Sequence, residues 1–207
     1  MKIVSLPLVP EVRLRLITEE CALWRASEKE AAALGFVEPY WAFAWPGGQA
    51  LARYVLDNPP LIRGKRVLDF GAGCAIEGIA ALMAGASEVL CADIDERACE
   101  AALSNASLNG VQLSVTSQDL IGRQLKVDLV LAGDVFYDSA LAARALAWLR
   151  KLDVPVLIGD PSRGFLELSG LRKLASYRAS WDGDTRGEIL RDTAVYSTEA
   201  LIGTELP

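Results

Sequence analysis

Between Arg66 and Ile158 short apolar runs alternate with stretches of helical periodicity, and this alternation leaves few architectures open. Val67-Leu68 leads a buried strand, after which Ile76, Ile79, Ala80 and Met83 recur at helical spacing until Gly85. Residues 89–92 read as a second strand and 96–109 as a second helix, closed by Asn109-Gly110. A third strand follows at 113–117 and a fourth at 127–131. A helix presenting Leu141, Ala145, Trp148 and Leu149 then leads to a fifth strand at 156–158. Parallel neighbours need long crossovers, so such a series closes into a parallel sheet with helices on both faces. Ligands of such sheets bind beyond the carboxyl ends of the strands, where the strand order reverses.

Ahead of this unit, the strict alternation of Val12-Arg-Leu-Arg-Leu16 suggests a half-buried strand, and Thr18-Glu-Glu the start of a helix running past Trp24. After Pro46-Gly-Gly48, Leu51, Ala52, Val55 and Leu56 share one face of a helix that stops near Asn58-Pro59-Pro60. We therefore expect an N-terminal extension over 1–60 packed on a core over 61–207. In the tail, 171–175 read as the end of a helix. Residues 177–181 and 189–198 then flank a Gly/Asp-rich loop as a terminal hairpin.

The 207 residues suffice for one core without a staple, and no apolar run reaches the roughly 18 residues of a membrane helix. The acid-rich first thirty residues resemble neither a secretory signal nor an organelle presequence, which points to the cytoplasm. Cys21, Cys74, Cys91 and Cys99 form no C-x-x-C pair, and the absence of histidine removes the usual zinc sets and every imidazole-based mechanism. A formal net charge of −6 argues against non-specific nucleic-acid binding and would suit a basic partner.

Val67-Leu-Asp-Phe-Gly-Ala-Gly-Cys-Ala75 is a strand ending in an acid, then a glycine turn at a helix start. Gly71 and Gly73 can adopt backbone angles closed to other residues and leave room for a ligand. A dinucleotide fingerprint needs glycine at position 76, where this chain has Ile76. Asp69 would also sit badly beside a pyrophosphate, whereas it suits the cationic amino group of S-adenosylmethionine. Asp93 lies 20 residues beyond Gly73, the spacing at which a carboxylate reaches both hydroxyls of a ribose. Asp95 reads as the cap of the next helix, and Asp119, after the third strand, as a partner for the adenine amino group. Gly133-Asp-Val-Phe-Tyr-Asp138 brings two carboxylates and two rings to the mouth of the cleft, with Gly133 beside the cofactor and Asp134 and Tyr137 as functional candidates. In the simplest structural reading, Asp138 caps a helix and Phe136 is core.

Pro39-Tyr-Trp-Ala-Phe-Ala-Trp-Pro-Gly-Gly-Gln-Ala-Leu51, the glycine turn, the 133–138 segment and Leu157-Ile-Gly-Asp-Pro-Ser-Arg163, taken in order, resemble the electron transfer flavoprotein β-subunit lysine methyltransferases. These belong to the protein methyltransferases marked by Asp-x-x-Tyr. The resemblance implies the Rossmann-like α/β fold of the seven-strand class I S-adenosylmethionine-dependent methyltransferases. It also implies N-methylation of lysines on the flavoprotein β-subunit. By similarity Asp69, Gly71 and Gly73 hold the methionine end of the cofactor, Asp93 the ribose, Trp45 with Gly47 and Gly48 its flank, and Asp134 with Tyr137 the incoming lysine. The tail hairpin would supply the last two strands. Ala75 stands where the family's turn has a third glycine. If φ is positive there, the methyl group costs on the order of 1 kcal/mol.

Methyl transfer needs alignment and a neutral amine, and populating neutral lysine at pH 7 costs about 4.6 kcal/mol. An apolar wall of Phe136, Tyr137 and Trp41 would favour loss of the proton and Asp134 would attract the cation, with water as the proton acceptor. The alternatives are a class I methyltransferase of a small molecule or another protein, and a binding module that has lost cofactor affinity through Ala75.

Overall fold

Successive residues of a strand point to opposite faces, and the apolar side chains of this sheet sort accordingly into two buried clusters. Leu129, Leu131 and Leu157 pack on one face with Leu51, Val55, Ile79 and Val195. Leu68, Val130, Ala132 and Ile158 pack on the other with Phe136, Trp148 and Leu149. The computed structural model describes residues 1–24, 26–33, 39–180 and 186–198.

A hairpin of β1 (Lys2–Leu6) and β2 (Val9–Leu16) precedes α1 (Glu28–Ala33) and α2 (Pro46–Asp57). Then come β3 (Arg66–Phe70), α3 (Ile76–Met83), β4 (Glu88–Ala92), α4 (Glu96–Leu108), β5 (Ser114–Thr116), β6 (Leu129–Gly133), α5 (Ser139–Leu149), β7 (Val156–Asp160), β8 (Leu171–Ser180) and β9 (Leu190–Thr198). The large sheet has the order β5-β4-β3-β6-β7-β9-β8, with β3 to β7 parallel and β9 antiparallel to both β7 and β8. The chain works outward from β3 to β5, then returns to lay β6 on the other side of β3, with Leu68 beside Val130. That reversal opens a crevice at the carboxyl ends of β3 and β6.

Two expected elements differ. The helix expected from Thr18 past Trp24 is instead a 3-10 turn at Ala22–Trp24 followed by a separate α1. Ser27 and Glu30 form a reciprocal capping box there, with Ser27 N donating to Glu30 Oε2 at 2.8 Å and Glu30 N to Ser27 Oγ at 3.3 Å, which starts a new helix at that point. The stretch read as a helix end at 171–175 is the first half of β8, paired along its length with β9. Its tail partner Trp181 and most of the loop expected at 182–188 lie outside the described residues.

The hairpin is tied to the core by Asn105 of α4 and by Asn109, which caps that helix. Asn109 exchanges hydrogen bonds with the backbone of Arg13 at 2.8 and 2.6 Å. Asn105 Oδ1 accepts from Arg15 N at 2.8 Å while its Nδ2 donates to Cys74 O at 3.0 Å, inside the glycine turn. The hairpin, α4 and the turn thus share one buried polar link.

Candidate active site

The crevice holds a cavity of about 590 Å³, in the range of small-molecule sites. Gly71 and Gly73 border it with φ of 72° and 49°, in the left-handed region that favours glycine. Asp93, at the end of β4, also lines it. Asp93 Oδ2 accepts from Gly73 N at 2.9 Å and Oδ1 from Asp95 N at 3.0 Å, so one carboxylate braces the turn and faces the cavity. Burial raises its pKa above the ordinary carboxylate value. Phe70, Ile94, Leu120 and Ile121 add apolar surface beside Asp93 and Asp119. A flat ring between apolar side chains, with a carboxylate in reach of vicinal hydroxyls, is what an adenosyl group requires, so these residues fit S-adenosylmethionine.

Asp119 lines the same end, its Oδ1 accepting from Ile121 N at 2.9 Å and its Oδ2 paired with Arg144 at 3.1 Å. Asp95 caps α4 through Arg97 N, and Asp138 caps α5 through Ala140 N and Leu141 N.

Asp69 does not line the cavity. It lies beneath the turn, 1% exposed, with Oδ2 accepting from Gly78 N at 2.8 Å and from Cys91 Sγ at 3.6 Å. Burial pushes its carboxyl up to about 7. Ala75 takes φ 62° at the start of α3, and its methyl group packs in the core rather than against the cavity.

At the other end, Tyr40, Trp41, Trp45, Gly133, Asp134, Tyr137 and Arg163 close the cavity. The Tyr40 and Tyr137 rings lie 5.9 Å apart and both are about half exposed, which places them at the mouth. Trp45 donates from Nε1 to Tyr40 O at 2.8 Å. Phe136, expected in this wall, is fully buried on the α5 side of the sheet, so the apolar wall consists of tyrosine and tryptophan rings.

Gly47 and Gly48 are also absent from the lining and serve Asp134 instead. Helix α2 begins with Pro46 and has no side-chain cap of its own; Asp134 Oδ2 accepts from Gly47 N, and from Gly48 N at 3.1 Å. A Cβ on Gly47 would come within 2.8 Å of Asp134 N, so only glycine lets the helix end approach this closely. The positive end of the helix favours a carboxylate there. Burial nevertheless pushes the Asp134 carboxyl up to about 6, against the pull of Arg163 and the two amides.

Three neighbours carry roles that local reading did not assign. Arg163 Nη2 donates to Asp134 Oδ1 at 3.2 Å, and its guanidinium lies 5.6 Å from the centroid of the Trp45 ring. It is aimed there by a tight turn after β7, where Asp160 Oδ1 accepts from Ser162 N at 2.7 Å. Glu77, on the first turn of α3, is buried against Gly48 and Gly133, and its desolvated carboxyl titrates well above the ordinary value. Gly133 lines the cavity, yet its missing side chain is equally required by Gly48, whose Cα would lie 2.8 Å from a Cβ there. Gln49 joins α2 to the far edge of the sheet, donating to Ala44 O at 2.7 Å and Ser180 O at 2.9 Å while accepting from Ser180 N at 3.1 Å. The contacts of Arg163 with Asp134 and of Gln49 with Ser180 span chain separations of 29 and 131 residues, which no motif window reveals.

Sheet order, turn and cavity define a class I methyltransferase. The fold matches magnesium protoporphyrin IX methyltransferase from Synechocystis PCC 6803, solved with bound SAM, with a TM-score of 0.55 at 21% identity over 73% of this chain and 79% of that one. It also matches a ribosomal protein L11 methylase from Lactobacillus delbrueckii subsp. bulgaricus, with a TM-score of 0.52 at 23% identity over 73% and 78%. Residues 50–135 match the family model of ribosomal protein L11 methyltransferase (PrmA). Nearer in sequence is the electron transfer flavoprotein beta subunit lysine methyltransferase of Xenopus laevis, 44% identical over 203 residues, 93% of this chain and 81% of that protein. The Homo sapiens protein of the same name is 46% identical over 162 residues, 75% of this chain and 61% of that protein. The chain belongs to the electron transfer flavoprotein β-subunit lysine methyltransferase family.

Among the described residues no helix is long and apolar enough to cross a membrane.

Proposed function

We propose that this chain is an S-adenosylmethionine-dependent protein-lysine N-methyltransferase acting on lysines of the electron transfer flavoprotein β-subunit. The observation that carries the reading is a single cavity bordered by the Gly71/Gly73 turn and Asp93 at one end and by Asp134, Tyr137 and aromatic rings at the other. The two halves match the two substrates of such a reaction.

Gly71 and Gly73 would lie against the methionine part of the cofactor, Asp93 would take the ribose hydroxyls, and Asp119 with its apolar neighbours the adenine. Asp69 supports this end from below by fixing Gly78 and the turn. When bound, S-adenosylmethionine would supply a sulfonium-activated methyl group for transfer to the neutral lysine nitrogen, with the sulfide as leaving group. Asp134 orients the lysine nitrogen, while Tyr40, Trp41, Trp45 and Tyr137 surround its aliphatic stem and exclude water. With no histidine in the chain, the lysine proton leaves to water. The β1–β2 hairpin is bonded to the turn through Asn105, which supports a part for it in target choice.

Incubating the protein with methyl-labelled cofactor and purified flavoprotein β-subunit should label lysines of the subunit. Label on other proteins of an extract, with none on the subunit, would sink the substrate assignment.

A further inference from the structure

Among the described residues, charged and polar groups from several elements face the Asp134 carboxylate. Helix α2 offers the Gly47 and Gly48 amides, α3 offers Glu77, and the loop after β7 offers Arg163. Asp160, at the end of β7, faces Arg163 in turn. Tyr40 and Tyr137 stand at the mouth. Glu77 and Asp160 are both buried and both hold their protons more tightly than a free carboxyl group. Arginine keeps its charge at any working pH. Among the described residues the permanent cation beside Asp134 is Arg163, and its ion pair with the carboxylate, at 3.2 Å with side chains 21% and 8% exposed, carries no net charge.

This bears on a difficulty that the reaction poses. An unaccompanied buried carboxylate attracts lysine but stabilises its ammonium form, which has no lone pair to give. A carboxylate already matched by a guanidinium can still accept a hydrogen bond, and it does so without favouring the proton on nitrogen. Oδ2 serves the end of α2 and Arg163 donates to Oδ1, and a carboxylate oxygen has the capacity for a second hydrogen bond. The Trp45 ring on the other side of the guanidinium helps to hold it in place.

We propose that Arg163 is a positioning residue for the reaction: its guanidinium neutralises Asp134, so that the carboxylate receives the target lysine as an amine rather than as an ammonium ion. This rests on the reading of Asp134 as the lysine-orienting group. It assigns to Arg163 the control of the pH range in which the enzyme works.

The test is the pH dependence of kcat at saturating flavoprotein β-subunit, together with the subunit's affinity in the presence of S-adenosylhomocysteine. The parent protein is compared with Arg163→Met, Arg163→Gln and Arg163→Lys. For the Met and Gln variants the rising alkaline limb should move up by at least about one pH unit, a tenfold loss near neutral pH that is recovered at high pH. Affinity for the subunit should stay the same or tighten. The Lys variant, which keeps the cation, should restore the limb toward its original position. Equal loss at every pH together with weaker subunit binding would mean a merely structural role and would overturn the inference, as would an unshifted limb. If the parent protein transfers no methyl group to lysine, the reading beneath falls and this inference with it. Transfer by the parent with an unshifted limb in the variants removes this inference alone. Titration with S-adenosylhomocysteine confirms that each variant is folded.

Discussion

Asp134 holds two tasks in one carboxylate: one oxygen closes the end of α2 and the other faces Arg163 and the cavity. Asp134→Asn keeps an acceptor for the helix but turns a donor toward the site. Methyl transfer should fall at least about a hundredfold, the scale for a positioned catalytic group, with affinity for S-adenosylhomocysteine unchanged. Single-turnover transfer beside a calorimetric titration separates the two, and full turnover in the variant would remove Asp134 from the chemistry. Ala75 is a smaller case. Its φ of 62° strains a side chain by about 1–2 kcal/mol, while glycine frees the unfolded chain by about 0.4–1 kcal/mol. Ala75→Gly should therefore raise the unfolding free energy by up to about 1 kcal/mol in urea titrations, with little effect on cofactor affinity because the methyl group lies in the core. That Gly71, Gly73, Asp93, Asp134 and Tyr137 would stand around one cavity was legible in the sequence, because they follow the carboxyl ends of strands. The position of Asp69 under the turn, and the parts played by Arg163, Glu77 and Gly47, were not. Asp69 bonds Gly78 within its own motif, where the spacing does not tell a ligand from a brace, and the partners of the others lie far along the chain, as with Gly47 and Asp134, 87 positions apart.

Among the elements, the strands and helices of the parallel unit could be read directly, since apolar runs and helical spacing both carry a period. β8 could not. Leu171, Arg172, Lys173, Leu174 and Ala175 are good helix formers, but pairing with β9 along the sheet edge overrides that preference. The irregularity in register between Lys173 and Ala175 falls in this same stretch, where local preference and pairing conflict. Asn105 shows how elements are joined once formed. Asn105→Ala removes the buried bond to Cys74 O and the part-buried bond from Arg15 N, a loss of about 1–3 kcal/mol. A urea midpoint that moves by that amount, with added exposure of the β1–β2 hairpin to hydrogen exchange, is the expected result. An unchanged midpoint would mean that the hairpin is held by its apolar face alone.

Over the whole molecule, the buried carboxyls make stability depend on pH in an unusual direction. Burial raises Asp69 to about 7 and Asp134 to about 6, and raises Glu77 and Asp160 as well, from ordinary values near 4. The folded protein then binds protons more tightly than the unfolded chain across that window, so stability falls as pH rises from about 4 to about 7. The exposed carboxylates held low by arginines, Asp128 by Arg66 and Glu11 by Arg53, act in the opposite sense but below this window. Urea midpoints should be higher near pH 5 than near pH 8, and Asp69→Asn should flatten the difference; a midpoint that climbs with pH would contradict the burial argument. The proposed activity requires the crevice between β3 and β6 to be a cofactor site. Calorimetric titration with S-adenosylhomocysteine tests that most directly: the parent chain should bind one molecule, and Asp93→Ala should bind it at least about tenfold more weakly, the scale of a lost charged hydrogen bond. No binding by the parent chain, or undiminished binding by the variant, would contradict it.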